Sequence, residues 1–258
     1  MKRLLDLVRR WRTPRPEFGA GTGNDEYDWR IYHEEYRARM VDLERLHTTV
    51  LRDGDYTFGD ERLTLARSGL LPLHENHRLL YETVCQLNPA SVLEIGCGAG
   101  DHLANIKLLA PSIQIHGRDR SENQLRFLRE RHPELDGVAG VFDATMPWSN
   151  LVPTVDVCFT QAVLTHIQLG NSHFVTLANM FRAAARQVIL MENWTKHSFH
   201  ADITRMFAER MISWPRLFLY YRASDVPRQP HIVVASATEL PYTPLLDDET
   251  LTRSVPPI

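Results

Sequence analysis

The chain has 258 residues with a formal net charge of −3, 43% of them hydrophobic and 24% charged, which suits one sizeable core and argues against general disorder or a fibrous repeat. So balanced a charge exerts no global pull on a polyanion, and nucleic acid is disfavoured as a substrate. Cys85, Cys97 and Cys158 lack the paired spacing of a zinc site or disulfide framework, and neither a signal-peptide core nor an apolar run of the ~20 residues a membrane helix needs is present, so a cytoplasmic protein without a transmembrane segment is expected.

Residues 1–12, MKRLLDLVRRWR, read either as a frayed terminus or as a short basic amphipathic helix making a weak membrane-surface contact, ending before Pro14 and Pro16. The whole of 1–24 is taken as a flexible basic segment. From 25 to 90 the pattern predicts a helical cap, with helices over 27–51 and 75–87, the second leading through Asn88 and Pro89 into the first clear strand. Between 91 and 240 short apolar runs at 92–95, 113–116, 138–142, 155–159 and 188–191 alternate with helical stretches at 102–109, 121–130, 172–184 and 199–211. Such alternation predicts an α/β domain, a doubly wound and mostly parallel sheet covered on both faces. Runs at 217–221 and 231–235 have no long helix between them and can pair as an antiparallel edge. The Pro-rich tail, 241–258, reads as irregular.

The turn after the first strand is Glu94-Ile95-Gly96-Cys97-Gly98-Ala99-Gly100. In an open parallel sheet this turn faces the ligand crevice, and glycines let the backbone bend sharply and approach a ligand closely. A dinucleotide fingerprint would place its third glycine where this chain has Asp101, whose charge would also oppose a pyrophosphate at the helix start. An acidic residue, one spacer and three alternating glycines instead resemble the first motif of the class I S-adenosylmethionine (SAM) dependent methyltransferases, with the similarity running from about residue 91 to 192. The resemblance implies a seven-stranded sheet whose last strand is antiparallel, and SAM as cofactor. It also implies cofactor contacts from Glu94, Gly96, Gly98 and Gly100. Asp119 would bind the ribose hydroxyls, Asp143 and Ala144 the adenine, with Arg120 flanking the ring and Gln161 counted among the cofactor contacts. Each acid also has a plainer reading: Glu94 as a partner of the loop backbone, Asp119 as a helix N-terminal acid, Asp143 as a turn residue.

Methyl transfer is an in-line displacement, so the protein chiefly aligns the acceptor and, for a hydroxyl, removes its proton. His166, after the fourth strand run, is the candidate general base, with a structural role as its alternative. Glu192 and Asn193, ending the fifth, resemble the acid–amide pair that binds magnesium in some O-methyltransferases. That pattern is incomplete, because Gln161 stands where those enzymes carry an aspartate. In the plainer reading Glu192 hydrogen-bonds a lid, and His197 and His200 form a solvated helix face. Trp194, His197 and His200 form the candidate acceptor site, the indole stacking on a sugar face. The expected function is O-methylation of a small polar acceptor, a sugar or glycan first. Another small-molecule O- or N-methyltransferase and a non-catalytic SAM-binding regulatory protein are the alternatives, and a homo-oligomer is left open.

Overall fold

The structure, a computed structural model, describes residues 50–66, 72–168, 170–223 and 232–253. The expected basic segment at 1–24 and the expected helix at 27–51, up to residue 49, lie outside the described residues.

The first described elements form a β-hairpin, β1 (Tyr56–Gly59) and β2 (Arg62–Leu65), inside the stretch expected to be helical. Asp60 and Glu61, at φ 48° and 62°, give the two-residue connection with both central residues left-handed that suits the twist of paired strands. Helix α1 (Glu75–Leu87) follows, spanning the expected residues, with the His74 side chain accepting the Asn76 N–H at its start and left-handed Asn88 at its end. Two hydrogen bonds tie the hairpin region to the helices: Leu63 N–H donates to buried Glu82 at 2.9 Å, and Leu51 N–H donates to Asn105 Oδ1 at 2.9 Å.

The domain proper then alternates as expected: β3 (Ser91–Ile95), α2 (Asp101–Leu109), β4 (Gln114–Asp119), α3 (Glu122–Arg131), β5 (Ala139–Val141), β6 (Val155–Gln161), α4 (Ser172–Ala183), β7 (Ala184–Met191), α5 (Phe199–Ala208), β8 (Phe218–Arg222) and β9 (Ile232–Ser236). Ser121 caps α3 by accepting the Gln124 N–H, while its own N–H goes to Asp119. One boundary moves: residue 184, read as helix end, and 185–187, left between helix and strand, belong to β7, where Ala184 pairs with Val155 across a register shift and Gln187 is buried against the Ser236 hydroxyl.

The main sheet has the order β10-β8-β9-β7-β6-β3-β4-β5. It holds eight strands against the expected seven, the extra one being the two-residue edge β10 (Thr243–Pro244), in the tail expected to be irregular. Two strands run against the rest, β9, inserted between β7 and β8, and the edge strand β10, paired with β8. From β3 the chain winds out through β4 and β5, then returns to β3's other side with β6 and β7. The order therefore reverses between β3 and β6, and the ligand crevice opens at their carboxyl ends. Apolar residues fill both faces, one layer around Leu93, Phe181 and Val233, the other around Tyr81, Leu103 and Phe159. A last short helix, α6 (Glu249–Thr252), follows Asp248, whose carboxylate accepts the N–H groups of His200 and Ala201 at 2.8 and 3.1 Å. It thereby serves the start of α5, where Ser198 makes no capping bond. Among the described residues no helix is long and apolar enough to cross a membrane.

Candidate active site

Glu94, Gly96, Gly98, Gly100, Asp119 and Gln161 come together at the point of reversal. The turn is anchored by Arg118, whose carbonyl accepts the N–H groups of Gly96 and Cys97 at 2.7 and 3.2 Å. Gly96, Gly98 and Gly100 all have positive φ, but their missing side chains serve different ends. A Cβ on Gly96 would meet Val163 at 2.3 Å, and one on Gly100 would meet Leu128 at 2.8 Å, so these two glycines allow the turn to pack against its neighbours. A Cβ on Gly98 would meet nothing within 4 Å. It is the glycine that leaves room for a ligand.

Three acids surround this turn. Glu94 is 2% exposed and its Oε2 is buried without a hydrogen-bond partner. Burial, then the charges of Asp119 and Asp101, push its pKa well above the ordinary carboxylate range. A buried carboxylate oxygen with no donor suits a cationic ligand, since leaving it unpaired costs free energy. Asp119 accepts the Gly98 N–H through Oδ2 at 2.9 Å and the Ser121 N–H through Oδ1 at 2.7 Å. Its pKa is raised by burial and partly restored by these two bonds. Each oxygen keeps a lone pair for a further donor, such as a ribose hydroxyl. Asp101, the first residue of α2, is neutralised from behind by Arg131 Nε at 2.6 Å and hydrogen-bonds His132 Nε2 at 2.7 Å.

At the end of β5, Asp143 accepts from the Thr145 backbone and hydroxyl at 2.9 and 2.6 Å, with Arg120 Nε 3.9 Å away. Arg120 and Asp143 are thus neighbours. The turn reading of Asp143 is realised. Ala144 is buried, its carbonyl accepting from Asn179 Nδ2 at 2.8 Å.

The far wall begins at Gln161, the last residue of β6. Ala162 follows with φ 53°, a conformation that costs a side-chain-bearing residue energy and marks a constrained turn. Leu164–His166 then make a single 3-10 turn that presents half-buried His166. Beneath it lies Glu192. Its Oε1 accepts the Val163 N–H at 3.0 Å, its Oε2 the Thr165 N–H at 3.0 Å, and the Thr160 hydroxyl adds a bond at 3.3 Å. Burial raises its pKa to about 7, against the lowering effect of these bonds. Glu192 is therefore the clamp of the His166 turn. Burial and nearby Lys196 lower the His166 pKa, which keeps the ring neutral and basic near neutral pH.

The magnesium pair does not fit its expected role. Both Glu192 oxygens are taken up by the turn, and Asn193 Oδ1 accepts from the Thr195 backbone and hydroxyl at 3.1 and 2.8 Å. No group of three His, Cys, Asp or Glu residues placed to hold a metal occurs among the described residues. Trp194 likewise departs from expectation: it is 8% exposed, packed in the core edge-on to Phe199 at 5.3 Å, and so presents no open face to a sugar. His197 Nε2 donates to the Leu164 carbonyl at 3.0 Å and its ring stacks on His173 at 4.3 Å, so it supports the His166 turn. His200 is half-buried at the start of α5.

Sequence reasoning missed one group at this site. His102, in the first turn of α2, shares a hydrogen bond between its Nδ1 and the Tyr81 hydroxyl at 2.8 Å. Asn105 donates to the same hydroxyl at 2.9 Å. The visible signal was the spacing of His102 and Asn105, three apart on one helix face just past the glycines. Their partners come from elements 20 and more residues away, which spacing does not report.

Residues 93–191 match a family model described as a methyltransferase domain. No curated protein matches the sequence. Among solved structures, SAM-bound CalS10, an amino pentose methyltransferase from Micromonospora echinaspora involved in calicheamicin biosynthesis, is 14% identical with a TM-score of 0.50, covering 63% of this chain and 91% of its own. A TehB-like SAM-dependent methyltransferase from Corynebacterium glutamicum is 16% identical with a TM-score of 0.48, covering 83% of this chain and 99% of its own. At such identities the likeness is one of fold. The matched domain on this fold supports a class I, SAM-dependent methyltransferase.

Proposed function

We propose that the chain transfers a methyl group from SAM to a hydroxyl of a small polar acceptor, with a sugar or glycan as the leading class. The observation that carries the SAM reading is the buried, partnerless Glu94 Oε2 beside the open space over Gly98. Together they match a cationic amino-acid head laid against a bare backbone. Glu94 would hold the ammonium, Asp119 the ribose hydroxyls, and Asp143 with Ala144 and Arg120 the adenine. SAM, when bound, supplies an electrophilic methyl group on a sulfonium.

His166 takes the acceptor's proton in this reading. It stands beyond the carboxyl end of β6, on the same rim as the glycine turn, and a neutral imidazole is the side chain best matched to that task near pH 7. Glu192 and His197 hold the turn that aims it. Residues 25–90 are proposed to cap the crevice, and α1 contributes through Tyr81.

For the acceptor, the half-exposed or exposed rim of Thr165, His166, Gln168, Asn193 and Lys196 supplies polar groups suited to a hydroxyl-rich ligand. The amino pentose enzyme is a precedent for this fold acting on a sugar. The test is incubation with methyl-labelled SAM and a panel of sugars, glycans and other metabolites. Label transfer to a sugar hydroxyl, lost in His166→Ala, is expected. Transfer only to an amine would overturn the O-methylation reading, and SAM binding without transfer to any class would favour a regulatory protein.

A further inference from the structure

The supports of the His166 turn reach further than Glu192 and His197. Glu192 takes the Val163 and Thr165 N–H groups, so it grips the donor side of the turn. The carbonyl between them, that of Leu164, goes to the His197 ring at 3.0 Å. A carbonyl only accepts, so His197 Nε2 carries a proton there. Donors and acceptor of one turn are thus held from two sides, and the turn can roll only if one support gives way.

His197 lies in the segment between β7 and α5, and the orientation of its ring comes from packing rather than from regular backbone. The ring of His173, in the first turn of α4, lies nearly parallel to it, with 4.3 Å between centroids and 17° between planes. Phe199 meets the same imidazole edge-on at 5.6 Å. His173 in turn faces α5, where Asp202 Oδ2 lies 3.5 Å from its Nε2. That distance marks a contact of charge rather than a strong hydrogen bond. The two side chains are only 13% and 18% exposed, so solvent screens them in part. Arg205, three residues beyond Asp202 and on the same face of α5, extends over the ring of Phe174 at 5.8 Å. The first turn of α4 and the body of α5 therefore meet through two paired contacts, Asp202 with His173 and Arg205 with Phe174.

We infer that His173 and Asp202 are positioning residues for methyl transfer: Asp202 sets the plane of the His173 ring, that ring sets the plane of His197 by stacking, and His197 holds the Leu164 carbonyl and with it the base. The inference rests on the reading of His166 as that base. Without the stack, His197 is free to leave for another rotamer, the Leu164 carbonyl loses this donor, and His166 samples aims other than the productive one. Misplacement of this kind costs rate, because the reacting groups must be held in line. It spares cofactor binding, since the glycine turn and Asp119 have no part in the stack.

The test follows the turn in the full chain by hydrogen exchange and NMR, with calorimetry and turnover beside them. His173→Ala should quicken exchange at the Thr165 and His166 amides and broaden the His197 ring resonances, which are assigned by their loss in His197→Gln. SAM affinity should stay unchanged, and turnover, followed with a sugar that takes label from SAM, should fall about tenfold, the equivalent of one aromatic pair. His173→Phe restores a flat ring and should recover most of that loss. Asp202→Asn should slow turnover when His173 is present and add nothing in the His173→Phe background, because the carboxylate acts through the imidazole alone. Should His173→Ala fail to fold, His173→Leu, which fills the same space without a flat ring, should show the same losses. Unchanged exchange at Thr165 and His166, a His173→Phe variant as impaired as His173→Ala, or an equal effect of Asp202→Asn in both backgrounds would overturn the inference. Turnover that survives His166→Ala would instead defeat the base reading, and the exchange rates would still decide whether the stack holds the turn.

Discussion

Asp119 Oδ2 accepts the N–H of Gly98 at 2.9 Å, so the acid proposed to bind the ribose also pins the residue over which the ligand would lie. Asp119→Ala should therefore do two things. SAM and its demethylated product should bind about ten- to a hundredfold more weakly, as loss of charge-assisted hydrogen bonds implies, and hydrogen exchange should quicken at Gly98 and Ser121. Unchanged calorimetric affinity in the folded variant would remove Asp119 from the site.

The glycines separate packing from binding. Gly96→Ala drives a Cβ into Val163 at 2.3 Å and should lower the melting temperature markedly. Gly98→Ala meets no protein atom and should cost only the left-handed strain, about 1 to 2 kcal/mol, while abolishing SAM binding. If Gly98→Ala binds SAM normally, the ligand passes elsewhere.

His166→Ala should lower kcat by about two to four powers of ten with little change in SAM affinity. The acid limb of the wild-type pH profile should vanish with it. Because burial and Lys196 lower the His166 pKa, that limb should fall below the ordinary histidine value. A variant that keeps most of its activity across this range would leave His166 a structural residue.

Glu192 gives a stability signature. Its pKa in the folded protein is raised to about 7, above the unfolded carboxylate value of about 4.3, so the folded state binds the extra proton between those limits. Its contribution to stability is present at acid pH and is lost as pH rises through about 7. The wild type should lose melting temperature between pH 5 and pH 8 (roughly the span of that titration) more steeply than Glu192→Gln. The variant, placing an NH2 among backbone N–H groups, should also lose turnover by loosening the His166 turn. Parallel pH profiles of the two proteins would assign the titration to another group.

What the sequence disclosed follows from what is local. The period of the apolar runs and the glycine spacing located β3 to β7, the turn and Asp119, because strand alternation and left-handed glycines depend on neighbours along the chain. The hairpin was lost because its connection uses Asp60 and Glu61 in place of the Asn-Gly pair that usually marks one. Glu192 and Trp194 were misjudged for a different reason. Both belong by type to a polar binding site, and only the fold shows that one is spent on the backbone of residues 163–165 and the other is covered by Phe199. Residue type suggests chemistry, but whether an atom is available is a tertiary property.

The carboxylate of Asp248, spanning to the N–H groups of His200 and Ala201, has a consequence for engineering and for proteolysis. The start of α5 and the loop carrying His197 are held from a segment more than 40 residues later, so a cut or a truncation before Asp247 would leave the sheet intact yet release the support behind the His166 turn. A truncated protein of this kind would also lose buried Leu251 from the core, so it would melt lower while keeping the sheet, and its loss of turnover would exceed its loss of fold.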